Sequence, residues 1–250
     1  MFKLKYIAPL ALTFLLTACG AEENNNGNDN SEQSNNISPS GFYNSDINLF
    51  QLSGPIQGDT LVTLHTNHGD ITIRMFPEET PVAYENFVTH ARNGFYDGVT
   101  FHRVIYNFMI QSGDPTGTGA GGESIFGHGF SAEPSEELRH IRGAVAMAHP
   151  NDPNNNGSQF YIVHSYNTFP SEHFENYSYT QEMVEAFGRY GGTPHLDLVR
   201  NPVGHTVFGQ VIAGIDVVDS IAEVELEDPF SNRPIEDVII ESVTVETYGS

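Results

Sequence analysis

The 250-residue chain has one cysteine and two lysines, and each scarcity excludes something. A lone Cys19 cannot close an intramolecular disulfide, so the fold must be held by packing rather than by a covalent staple. Lysine ends at Lys5, and beyond residue 18 eight arginines face 32 carboxylates, a net charge of −24. So acidic a chain repels phosphate backbones, which excludes nucleic acid as a partner. Long apolar runs are missing too. The run from Tyr6 to Leu16 is too short for a stable membrane span.

What is there starts with that run. Lys3 and Lys5 precede it and small residues follow it, the pattern of a signal peptide. Leu16-Thr17-Ala18-Cys19 resembles the lipobox of bacterial lipoproteins, in which the cysteine is diacylated and becomes the mature N-terminus. The alternative is an ordinary secretory signal with a chance cysteine. The expected organisation is a leader over 1–18, then a lipidated tether rich in Asn and acid over 19–45. The tether has too few apolar side chains to offset its ordering entropy. An N-terminal extension over 46–58, wrapped loosely on the domain, leads into a folded unit over 59–248.

Within that unit, "LVTLHTNHGDITIRMF" holds two alternating apolar runs broken at "NHGD", a hairpin signal. Thr80 as cap, Pro81 at the first helical position and Gly94 as terminator bound a helix with Ala83, Phe87, Val88 and Ala91 on one face. Short strands are expected over 100–105, 108–112, 143–148, 158–163, 205–212 and 237–246, and a second helix over "GIDVVDSIAEV". Many short strands with two helices point to a closed antiparallel β-barrel. Residues 165–193, with the helix-like "YTQEMVEAFGRY", and 198–203 read as insertions.

One arginine in "FHRVIYNFMIQSGD" needs an explanation. Arg103 stands among Phe101, Val104, Ile105, Phe108, Met109 and Ile110, and a guanidinium is rarely left in apolar company without a partner. It is either half of a structural ion pair or a working group. "FHRVIYNFMIQSGDPTGTGAGGESIFG", "GAVAMAHPNDPNNNGSQFYIV" and "GHTVFGQVIAGIDVVDSI" closely resemble, in order, the three signature blocks of the cyclophilins. These are peptidyl-prolyl cis-trans isomerases. The resemblance implies an eight-stranded antiparallel barrel capped by two helices, with a helical insertion near 165–193 here. It also implies action on X-Pro bonds without metal or coenzyme.

By the same resemblance the catalytic arginine falls on Arg103, with His102 beside it. Phe108, Met109, Tyr161 and Leu196 match the apolar proline pocket, and Gln111 and Gln159 the site glutamines. Ala148 and His149 match the backbone that grips substrate, and His205 a histidine at the pocket edge. Phe108, Gln111 and His205 join Arg103 as the expected catalytic set. Strand alternation puts Gln159 and Tyr161 on one face and Phe160 in the core. Tyr106-Asn107 departs from the usual Pro-Gly, Ser112 from glycine, Ala120 from threonine and Tyr161 from phenylalanine. His195 stands where cyclosporin-sensitive relatives carry tryptophan. The Tyr161 hydroxyl needs a partner.

The implied partners are proline-containing peptides and unfolded exported proteins, reached by a lipid-anchored, extracytoplasmic monomer. A weakly catalytic peptide-binding chaperone of the same fold is the alternative. "GTGAGG" at 117–122 matches a dinucleotide-binding glycine pattern but lacks a βαβ context. The histidines have no zinc-ligand spacing, and "EPSEEL" reads as a solvated acidic loop.

Overall fold

In the computed structural model of the protein, residues 47–228 and 230–250 are described. The leader, Cys19 and the tether lie outside them. Eight strands form one antiparallel sheet: β1 Thr60–Thr66, β2 Gly69–Met75, β3 Arg103–Ile105, β4 Met109–Ser112, β5 Ala144–Met147, β6 Phe160–Val163, β7 Val207–Ala213 and β8 Ile240–Thr247. Their order across the sheet is β3-β4-β6-β5-β7-β2-β1-β8. Among the described residues three α-helices accompany them, α1 Pro81–Arg92, α2 Gln181–Tyr190 and α3 Ile215–Ala222.

The sheet curls into a half-barrel and does not close, contrary to the expectation of a closed barrel. Closure would pair the edge strands β3 and β8, but β3 is three residues long. The seam is crossed instead by an isolated bridge, Thr100 to Ile239, and by single bonds such as Phe101 N–H to Val238 O at 2.8 Å. Register shifts at Thr72/Ile73 and Val145/Ala146 on the two sides of β7 supply local bends.

Alternation decides which side chains face which core. Val62, Leu64, Ile71, Ile73, Val145, Ile162 and Phe208 pack with Phe87 of α1 and Val218 of α3 in the main core. On β6, Phe160 and Ile162 enter that core, while Tyr161 and Val163 join a second cluster with Met109, Ala146 and Val207. The expected split between Phe160 and Tyr161 is what the strand shows.

α1 starts at Pro81 as its sequence requires, but Thr80 does not cap it; its hydroxyl donates to Phe76 O at 3.2 Å. The helix N-terminus is held by the Glu133 carboxylate, which accepts from Val82 N–H at 3.0 Å and Ala83 N–H at 2.8 Å. "EPSEEL" is therefore not a purely solvated loop. Gly94, at φ +69, ends the helix in a Schellman arrangement, with Gly94 N–H to Ala91 O and Phe95 N–H to His90 O.

The extension does not wrap loosely either. Ile47, Leu49 and Leu52 are buried against Phe174, Met183, Phe187 and Tyr190 of the insertion. Gln51 is fully buried, donating to Arg139 O and Gln210 Oε1 and accepting from Arg139 N–H, each at 2.8 Å. The insertion supplies α2, capped by the Thr180 hydroxyl, with Met183, Ala186, Phe187 and Tyr190 along its buried face. Extension and insertion thus pack around Ile141 in an apolar cluster separate from the main core.

Candidate active site

Arg103 opens β3 opposite Gln111 of β4, and Gln111 in turn faces Tyr161 of β6. This puts the arginine, the glutamine and the tyrosine in one row across three strands. The half-buried guanidinium donates from Nη1 to Gln111 Oε1 at 3.2 Å and lies 4.0 Å from Met109 Sδ. Gln111 Nε2 donates to Gln159 Oε1 at 2.9 Å, and Gln159 Nε2 reaches the carbonyls of Gly119 at 3.0 Å and Gly121 at 2.8 Å. Burial lowers the guanidinium pKa, yet it starts so high that the charge persists at neutral pH. Among the described residues no carboxylate lies within 4.0 Å of it; the arginine ion pairs belong to Arg74, Arg142, Arg189 and Arg233. Among the described residues, Arg103 is not half of a structural ion pair.

Arg103, Gln111 and Gln159 line a groove of about 850 Å³ that also takes in His102, Ala148 and His149. Beside it the apolar cluster of buried Met109, Tyr161, Ala146 and Val163 is flanked by half-buried Phe108, Ala148 and Leu196. His195 is exposed and stacks on Phe108, with ring centroids 6.0 Å apart. His205 stands edge-on to Tyr161 at 5.4 Å, stacks on His149 at 4.1 Å and bonds through Nδ1 to Met147 O at 3.0 Å. Burial, then His149 and His140, push its pKa down to about 3, so it is uncharged at neutral pH. His102 is buried, and burial lowers its pKa as well. All eleven expected site residues therefore gather at the groove or at the adjoining apolar cluster.

A profile described as cyclophilin type peptidyl-prolyl cis-trans isomerase/CLD matches residues 61–245. The chain belongs to the cyclophilin-type peptidyl-prolyl cis-trans isomerases. Proteins named "Putative peptidyl-prolyl cis-trans isomerase" in Staphylococcus epidermidis and Staphylococcus aureus are each 47% identical to it. The first matches over 203 residues, 80% of this chain and 98% of the relative; the second over 193 residues, 76% and 93%. A crystal structure of a Cryptosporidium parvum cyclophilin is 31% identical with a TM-score of 0.60, covering 76% of this chain and 98% of that one. The same protein crystallised in the presence of the dipeptide Ala-Pro gives 0.59.

This cyclophilin's glycine-rich loop is organised by Asp114. Its buried carboxylate accepts the N–H groups of Thr116, Thr118, Gly119 and Gly121 at 2.7 to 3.1 Å, together with the Thr116 and Thr118 hydroxyls. Burial raises the carboxyl pKa, but the bonds from Thr116, Gly121 and Gly119 outweigh it and hold the group well below the usual carboxylate range. The amides that would cradle a phosphate already hold an anion of the chain itself, and the loop's carbonyls serve Gln159. A Cβ on Gly121 would sit 2.3 Å from Asp114 Oδ1, which is why a glycine stands there.

Three of the departures from the family pattern, Asn107, Ser112 and Tyr161, have hydrogen-bond partners of their own. Asn107 adopts φ +57, a conformation Asn tolerates better than other non-glycine residues, and its Oδ1 accepts Tyr166 N–H at 2.7 Å. The Ser112 hydroxyl donates to Thr100 O at 2.9 Å. The Tyr161 hydroxyl meets His140 Nε2 at 2.8 Å, and His140 Nδ1 lies 2.6 Å from Asp197 Oδ1. His140 and Asp197 were not among the expected site residues. The unpaired hydroxyl in the sequence was the signal, but nothing local pointed to a histidine 21 positions away.

Proposed function

We propose that this isomerase turns X-Pro bonds of exported proteins by setting the Arg103 guanidinium against the prolyl nitrogen. The X-Pro bond resists rotation because the nitrogen lone pair is delocalised into the carbonyl, with a barrier of about 18–20 kcal/mol. In the twisted transition state the lone pair localises on nitrogen and becomes a hydrogen-bond acceptor. A donor that meets it strongly there and weakly in the planar amide lowers the barrier selectively. The observation that carries this reading is a guanidinium with no carboxylate partner among the described residues, aimed by Gln111 and lying 4.0 Å from Met109 Sδ. In this reading Phe108, Met109, Tyr161 and Leu196 hold the pyrrolidine ring, Ala148 and His149 grip the peptide, and uncharged His205 closes the pocket edge. That a relative was crystallised in the presence of Ala-Pro supports proline-containing peptides as substrates.

We further propose that Cys19 carries a lipid that anchors the enzyme on the extracytoplasmic face of a membrane. Support comes from Leu16-Thr17-Ala18-Cys19 after a short apolar run. Detergent partitioning of Cys19→Ser tests it; unchanged membrane association would sink the anchor.

A protease-coupled proline-peptide assay beside thermal melts tests the arginine. Arg103→Ala should lower kcat/KM by about 10²–10³-fold with little loss of Tm, the size of one donor specific to the transition state. Arg103→Lys should recover little, since an ammonium cannot reproduce the planar fork. A variant that melts early but turns over normally would make Arg103 scaffolding.

A further inference from the structure

Four side chains from separate segments meet beneath the apolar cluster. The Tyr161 hydroxyl on β6 contacts His140 Nε2 at 2.8 Å, and His140 Nδ1 contacts Asp197 Oδ1 at 2.6 Å. Asp197 also accepts the His140 backbone N–H at 2.7 Å and, through Oδ2, the hydroxyl of Tyr179 at 2.6 Å. Tyr161, His140 and Asp197 are buried, at 4%, 0% and 3% exposure. Burial and then the Asp197 charge raise the pKa of both tyrosines, so each hydroxyl keeps its proton and donates. One proton on His140 Nδ1 then satisfies every contact, and the whole chain of donors runs toward a single carboxylate.

Position gives this chain its meaning. Asp197 directly follows Leu196, whose carbonyl accepts His205 N–H at 3.0 Å, so the carboxylate that reaches Tyr161 through His140 sits one residue from the Leu196 wall. Because the Tyr161 hydroxyl is spent on His140, the ring turns only carbon toward its apolar neighbours. Tyr179 lies in the 165–193 insertion, packed on Phe174 and Phe187 and away from the apolar cluster of Tyr161. The 165–193 insertion thus reaches the Tyr161 hydroxyl through Asp197 and His140.

We propose that Tyr179, His140 and Asp197 are positioning residues, a buried relay through which the insertion fixes the spacing between the Tyr161 floor and the Leu196 wall of the prolyl pocket. The inference rests on reading Tyr161 and Leu196 as that pocket. Its test is a double-mutant cycle on the full chain, with Tyr161→Phe, Tyr179→Phe and the pair assayed for KM, kcat and Tm on a prolyl peptide. Each single change should raise KM about three- to tenfold, the scale of one ordinary hydrogen bond, with kcat held within about twofold. The pair should be no worse than either alone, because one cut opens the brace. Additive effects on KM would overturn the relay, and so would a Tm loss with KM unmoved. Arg103→Ala run alongside keeps the two readings apart. Its kcat falls whether or not the relay exists, so an additive cycle beside an inactive arginine variant condemns the relay alone.

Discussion

Asp114 and Asp197 are both buried carboxylates at the borders of one site, and they are satisfied in opposite ways. Asp114 collects its donors from residues 116 to 121, the loop that follows it. Asp197 collects its donors from His140 and Tyr179, 57 and 18 residues away. A local hub orders one loop, at a small cost in chain entropy. A non-local hub ties segments that lie far apart in sequence, so losing it spreads. The comparison makes the two carboxylates separable by mutation, and the larger effect belongs to Asp197.

Asp197→Ala strips acceptors from the His140 amide, the His140 ring and the Tyr179 hydroxyl at once. Buried donors left without partners cost about 1–3 kcal/mol each, and relaxation recovers part of that. A loss of roughly 3–5 kcal/mol is expected, or roughly 10 °C in Tm for a domain of this size. Thermal melts check it. If Asp197→Ala melts within about 2 °C of the parent, the non-local hub does not hold the segments together.

These two hubs also mark what the sequence made legible. Proximity in sequence is the dividing line. The strands follow from alternation, α1 from Pro81 and Gly94, and the Arg103 row from the three family blocks, because each is written in neighbouring residues. Asp114 sits inside a glycine-rich run that could be read as a tight loop. By contrast, Thr80 looked like the cap of α1, but a carboxylate 51 residues away took its place. Barrel closure failed because the three-residue length of β3 is set by the irregular segments around it. His140 looked like one more surface or core histidine until Asp197 was seen against it. Ile47, Leu49 and Leu52 showed no helical or strand period that would announce α2 as their cover.

Asp114 should show a smaller effect with a distinctive pH dependence. Its folded-state pKa lies below the unfolded value of about 3.9, so the stability it contributes is fully present above about pH 5. That contribution is lost as pH falls through the unfolded value toward the folded one. Asp114→Asn keeps one acceptor but turns an amide N–H₂ toward amides that also donate, and should cost about 2 kcal/mol at neutral pH. Urea unfolding at about pH 7 and about pH 3.5 should show the gap between parent and variant narrowing in acid. A gap that stays constant would mean the loop is held by something other than the charge. Gln159, which leans on the Gly119 and Gly121 carbonyls, should lose its aim in the same variant, lowering kcat/KM in step.

Glu133 stands between the two hubs in kind, a half-buried carboxylate reaching 51 and 50 residues back to the first turn of α1. It is non-local like Asp197, yet its donors are backbone amides like those of Asp114. If distance in sequence alone set the cost, Glu133→Gln would rival Asp197→Ala. If burial decides, the cost should be small, because water can reach the amides once the carboxylate is gone. Gln retains one carbonyl acceptor of similar reach and forfeits only the charge at a helix N-terminus, worth about 0.3–1 kcal/mol. The expected Tm loss is therefore about 1–4 °C, with kcat/KM unchanged. Thr80→Val, made beside it, removes only the hydroxyl that donates to Phe76 O and should leave the capping of α1 untouched. A Thr80→Val loss larger than that of Glu133→Gln would return the cap to threonine and place Glu133 among the surface acids.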